Sequence, residues 1–185
     1  GWSSELGYEI FLRDGASGSA LWDYLMEIGA PMGLKPGHTS SIRRIEAAML
    51  SYHADMTLKN NPFELGMDRL VDLDMEADFV SKAALTRIRD EGVSQLQVGL
   101  VFDGAPISGS NDEYWPVLVD GQKVGQVTSA VYSPRLEQNI ALALVAIEHA
   151  GIGTGATIDM SGEPRGCKVV EKPFFDPKKA IAAKG

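Results

Sequence analysis

The sequence predicts an α+β segment followed by a small antiparallel β unit, on three observations. Apolar residues recur at helical spacing in the first half of the chain; from Gln95 the period changes to two and stays there. The third is an Asp120-Gly121 pair between two of the later apolar runs, a strong short-hairpin signal. With 185 residues the chain is long for one domain of ~150 and short for two.

The elements follow in order. Tyr8, Ile10 and Leu12 would share one face of a strand that Asp14-Gly15 closes with a turn. Ser17 or Ser19 can cap a first helix in which Ala20, Leu21, Tyr24, Leu25 and Ile28 form one packing stripe and Gly29 supplies the stop. After a stiff connection with Pro31, Gly33, Pro36 and Gly37, Thr39 or Ser40 can cap a second helix running through Met49. Its inward stripe would be Ile42, Ile45 and Met49, which leaves Arg43, Arg44 and Glu46 as a solvated face. Asn60-Asn61-Pro62 marks a break, residues 70–74 alternate like a strand, and Ser81 opens a third helix that Gly92 ends. Six strands are then expected at 98–102, 115–119, 123–132, 140–146, 156–160 and 166–170. Six at roughly ten-residue spacing point to a small barrel or a sandwich. Residues 178–185 form a frayed tail rich in lysine and alanine.

Charge narrows the function classes. Seventeen basic and 25 acidic residues give a formal net charge of −8, which argues against nucleic acid or an anionic membrane as a partner. The eight-residue run Ile140 to Ile147 is far short of the ~20 needed to cross a bilayer. One cysteine, Cys167, cannot form an internal disulfide, which suits a reducing, cytoplasmic setting. Position 1 is glycine and the first alternating run begins almost at once, so the chain is expected to be part of a larger protein.

Few residues suggest chemistry. His38, His53 and His149 lie far apart and in no metal-ligand spacing, and no nucleophile elbow is present. Cys167 falls inside a strand without an evident base. Gly151-x-Gly153-x-Gly155 precedes a strand rather than a helix and reads as a turn. What remains is the opening segment. A carboxylate flanked by glycines, here Glu5, can accept paired hydrogen bonds from a planar amidine-like edge, and a nearby aromatic can cover the ring; the plain alternative is a solvated glutamate in a turn.

Gly1-Trp2-Ser3-Ser4-Glu5-Leu6-Gly7-Tyr8-Glu9-Ile10 resembles the Gly-Tyr-Thr-Gly-Glu-x-Gly-Tyr-Glu-Ile signature of the folate-dependent aminomethyltransferases, the T-protein family of glycine cleavage. Further matches follow in the same order: Leu21-Trp22, Gly33-Leu34-Lys35-Pro36, Arg44-Ile45-Glu46-Ala47, Asn61-Pro62-Phe63-Glu64, Asp78 to Leu85, and Gly125 to Pro134 running into Asn139 to Ala143. Two departures matter. Thr39-Ser40-Ser41 stands where the T-protein branch carries Ala-Arg-Asp with a folate-binding arginine, and Trp2 replaces the usual tyrosine. The arginine is thus absent, while Ile42-Arg43-Arg44-Ile45-Glu46, Leu50-Ser51-Tyr52, Asn61-Pro62-Phe63-Glu64-x-Gly66-x-Asp68 and Trp2 resemble the demethylase branch, which includes dimethylsulfoniopropionate demethylase and aryl O-demethylases.

The resemblance implies a fold in which residues 1–66 are the C-terminal part of a folate-binding domain, 67–92 a connecting strand and helix, 93–175 a C-terminal β-barrel and 176–185 a tail. It implies a tetrahydrofolate-dependent methyltransferase that demethylates a small donor such as dimethylsulfoniopropionate. An aminomethyltransferase acting on a lipoyl carrier protein, and a folate-binding module without catalysis, are the alternatives. Glu5, Trp2 and Tyr8 are the implied cofactor-binding residues, with Trp2 also facing the substrate. Tyr8 is the weaker of these and is expected in the core, Glu64 is expected to bond its own loop, and the catalytic residues are expected outside this chain, which alone would be inactive.

Overall fold

The computed structural model describes Trp2, residues 5–178 and residues 180–181. Gly1, Ser3 and Ser4 of the opening signature and most of the expected tail lie outside the described residues.

The second half is a closed antiparallel barrel. Its strands are β1 (Gln95–Phe102), β2 (Trp115–Val119), β3 (Gln122–Ser133), β4 (Gln138–Ala146), β5 (Gly155–Met160) and β6 (Glu163–Val170), in the order β1-β4-β3-β2-β5-β6. All six expected strands are present, each matching its expected span or extending it by a few residues. Closure removes the free edges that six short strands would otherwise expose. Asp120 and Gly121 both take positive φ, 50° and 77°, as a two-residue turn between β2 and β3 requires. The interior is filled by Val98, Leu100, Phe102, Trp115, Val117, Val127, Ala141, Ala143, Val145, Ile158 and Val169.

Strand β4 reads as an unbroken apolar run because both of its faces are covered. Ala141, Ala143 and Val145 point into the barrel, while Ile140 and Leu142 join Ile45 and Val131 in a second cluster outside it. A register shift between Val127 and Ser129 changes the alternation of β3. After it Ala130 faces inward, and Ser129, Val131 and Ser133 turn to the outer face where Ile45 packs.

The first half is less regular. Helix α1 (Gly18–Gly29) follows a short turn in which Asp14 accepts hydrogen bonds from the Ala16 amide and the Ser17 hydroxyl. Its expected packing stripe is only half made: Leu21 and Leu25 are half-buried, while Tyr24 and Ile28 are exposed. Helix α2 spans Ser41–Glu46, with the Ser40 hydroxyl accepting from the Arg43 amide at 3.3 Å. It stops three residues before the expected Met49 because Ala48 turns left-handed at φ 53°, and the Ala48 and Met49 amides close back on the Ile45 and Arg44 carbonyls. Helix α3 (Lys82–Glu91) starts one residue after Ser81.

Three expectations fail here. Residues 8–12 form no strand, and Tyr8 is 88% exposed rather than in the core. Their alternation finds no described partner strand to bond. Residues 70–74 form no strand: Leu70 ends a short 3-10 helix (Asp68–Leu70), and the Asp72 carboxylate accepts from the Asp74 and Met75 amides and bends the backbone locally. Finally, Arg44 and Glu46 are 7% and 2% exposed and do not form a solvated face.

Candidate functional site

Helix α2 lies on the outer face of β3 and β4, and the residues beside it form two linked polar clusters. The first surrounds Asp55, which is 3% exposed. Arg44 reaches its Oδ2 from Nη1 at 2.7 Å, the Ser51 amide donates to the same oxygen at 2.8 Å, and the Thr128 and Ser129 hydroxyls donate to Oδ1 at 2.6 and 2.7 Å. Arg44 also donates to the Met49 carbonyl and the Ser129 hydroxyl. Both charges are thus desolvated and well partnered.

The second cluster carries Glu5. Glu46 accepts from the Ser133 hydroxyl at 2.6 Å on Oε1 and from Arg43 at 3.2 Å on Oε2. Arg135, in the turn between β3 and β4, lies 3.7 Å from Glu46 Oε2 and places its guanidinium carbon 3.8 Å from the Phe175 ring centroid. Its Nη2 donates to Glu5 Oε1 at 2.9 Å, and Arg43 Nη1 lies 3.7 Å from the same oxygen. The Glu5 side chain is 45% exposed. Trp2, 40% exposed, stands beside the first cluster with the Arg44 guanidinium 5.6 Å from its ring centroid. Two of the three implied residues, Glu5 and Trp2, therefore border the same α2 seam; Tyr8 points to solvent.

Sequence reasoning missed Arg135, Asp55 and the inward roles of Arg44 and Glu46. One signal was present: Thr128, Ser129 and Ser133 lie among the apolar residues Val127, Ala130 and Val131, and buried hydroxyls need partners. Glu64 behaves as expected, its Oε2 accepting from Asn60 Nδ2 and the Asn61 amide. The 151–155 segment is a turn leading into β5.

Elsewhere the chemistry is quiet. Burial pushes the Cys167 thiol up to about 11, with the Asp103 carboxylate adding to the effect, so it stays protonated at neutral pH. Burial lowers Lys172 to about 8, partly offset by the Asp55 charge; its ammonium donates to Gln97 Oε1. Among the described residues no group of three or more His, Cys, Asp or Glu side chains could hold a metal ion. A groove of about 980 Å³ crosses the barrel's outer face, lined by Val101, Asp103, Thr157, Lys168 and Phe174, and it includes neither Glu5 nor Trp2. Among the described residues no helix is long and apolar enough to cross a membrane.

Comparison with known proteins gives a consistent answer. Residues 1–75 match the N-terminal domain model of the glycine cleavage T-protein family, and residues 96–176 match its C-terminal barrel model. An aminomethyltransferase of Synechococcus sp. strain CC9902 is 40% identical over 176 residues, covering 95% of this chain and 46% of that protein. The dimethylsulfoniopropionate demethylase of Ruegeria pomeroyi is 35% identical over 159 residues, covering 86% and 43%. The glycine cleavage aminomethyltransferase of Bartonella henselae superposes with a TM-score of 0.76 over 88% of this chain and 45% of that one, at 20% identity, a likeness of fold. The chain spans about half the length of the curated relatives it matches. Two consecutive domain models of one family run through it in order, over a barrel with that family's architecture, and the chain belongs to the glycine cleavage T-protein family.

Proposed function

We propose that this protein takes part in tetrahydrofolate-dependent one-carbon transfer, with Glu5 binding the pterin edge. The observation that carries the reading is the Glu5 carboxylate, 45% exposed and oriented by two guanidinium groups at the end of the α2 seam. A partly exposed carboxylate is the kind of acceptor that a planar aminopyrimidine needs. Tetrahydrofolate, when bound, supplies a secondary amine that accepts the one-carbon unit. The chain's own residues would bind and orient it. Displacement at a methyl group depends on alignment more than on acid–base work.

The donor we favour is a small methylated compound such as dimethylsulfoniopropionate. Thr39-Ser40-Ser41 supplies no arginine for the T-protein contact, and Trp2 offers a ring face to a sulfonium at ~0.5–2 kcal/mol. Since Arg44 already lies near that ring, the sulfonium would use the face away from it. Aminomethyl transfer from a lipoyl carrier protein is the second reading, favoured by the 40% identity to an aminomethyltransferase. In either case residues 1–66 would belong to the folate-binding unit and the work would be cytoplasmic, where a single thiol stays reduced.

The test uses the protein expressed from its complete reading frame. Incubation with tetrahydrofolate and dimethylsulfoniopropionate should yield 5-methyl-tetrahydrofolate; formation of product only with an aminomethyl-loaded lipoyl carrier would select the second reading. Glu5→Ala should weaken folate binding by ~1.5–3 kcal/mol in calorimetry, and unchanged affinity would remove Glu5 from the site.

A further inference from the structure

We infer that Arg135, a barrel residue, is a positioning residue for Glu5 and hence for the pterin edge, an inference that rests on the folate reading above. Glu5 and Arg135 are separated by 130 positions, yet Nη2 and Oε1 meet at 2.9 Å. The arginine has other partners besides Glu5. One face of the guanidinium lies on the Phe175 ring at 3.8 Å, and Nη1 looks toward the buried Glu46 carboxylate at 3.7 Å. Glu46 is itself fixed by Ser133 and Arg43, and the Phe175 amide donates to the Glu46 carbonyl. A guanidinium stacked on a ring and paired at one edge has lost most of its rotational freedom, so its remaining N–H groups point in a set direction.

Glu5, by contrast, sits in a segment with no regular secondary structure. Without a partner, its carboxylate would sample several rotamers, and a ligand would bear the entropy of ordering it. Arg135 supplies that order from the barrel, and Arg43 supports it from α2. Lysine cannot replace this function fully, because an ammonium neither stacks flat on Phe175 nor offers a planar fork. On this account the barrel, through Arg135, is part of the folate site.

A double-mutant cycle tests this in the protein expressed from its complete reading frame, with 5-methyl-tetrahydrofolate binding followed by calorimetry. Arg135→Ala should weaken binding about tenfold, Arg135→Lys should recover part of that loss, and in a Glu5→Gln background Arg135→Ala should have almost no further effect. An equal loss in both backgrounds, with Glu5→Gln itself weakening binding, overturns the positioning role and leaves the folate reading standing. Equal binding by wild type and Glu5→Gln removes Glu5 from the site and overturns this inference while leaving folate binding itself standing; no binding by either overturns the folate reading and this inference with it.

Discussion

Replacing Asp55 by alanine removes the acceptor for four hydrogen bonds at once: one from Arg44, one from the Ser51 amide and two from hydroxyls of β3. Arg44, 7% exposed, would keep only the Met49 carbonyl and the Ser129 hydroxyl and would hold its charge without a counter-ion. Breaking a buried pair in this way costs ~3–5 kcal/mol, a large share of a total stability of about 5–15 kcal/mol. At ~2–4 °C per kcal/mol for a chain of this size, the melting temperature should fall by roughly 6–20 °C. Arg44→Met should cost less, ~2–3 kcal/mol, because the Asp55 carboxylate keeps three donors. Denaturant unfolding of both variants and of the double variant gives the coupling, expected at ~2 kcal/mol or more, since the double variant has no unpaired charge. A loss below ~1 kcal/mol for Asp55→Ala, or strict additivity, would refute the account of this network.

Two further outcomes separate local causes. Burial lowers Lys172 from its ordinary 10.5 to about 8, so the fold disfavours its charged form. Above pH 10.5 it is neutral in both states and costs nothing; as pH falls toward 8 the unfolded chain takes up the proton first and the penalty grows, to about 3 kcal/mol below pH 8. Stability measured against Lys172→Met should therefore shift toward the wild type between pH 8 and 10.5, and a pH-independent difference would contradict it. Gly121→Val should lower stability by ~1–2 kcal/mol, because a β-branched residue resists its φ of 77°, while folate affinity stays unchanged; a matching loss of affinity would tie that hairpin to the site.

The barrel was legible because its evidence is local. Period-two alternation, a two-residue turn and regular spacing are all written within a few positions, and closure follows from the need to cover strand edges. The α2 seam was not legible for the opposite reason. Arg44 meets Ser129 and Glu46 meets Ser133 across more than 80 residues, and a charged stretch read locally looks like a solvated helix face. The strand expected at 8–12 failed on a related point: alternation states which side chains could share a face, but a strand exists only where another backbone bonds to it. At 70–74 an aspartate turn outcompeted the same weak alternation.

The position of Glu5 finally depends on why a six-residue helix sits where it does. An isolated helix shorter than ~12 residues is marginal in water, so α2 owes its shape and place to the barrel. Ile45 against Val131, Ile140 and Leu142 supplies burial, but apolar contacts alone permit sliding. The charges do not. Arg44 faces Asp55 and Ser129, Glu46 faces Ser133, and the two serines are four residues apart on β3. A shift of one residue along β3 would turn both serines away and take a hydrogen bond from each of two buried charges, at ~1.5–3 kcal/mol for each charge-assisted bond. That penalty fixes α2 in one register, and with it Arg43, Glu46 and the guanidinium of Arg135 that Glu5 meets.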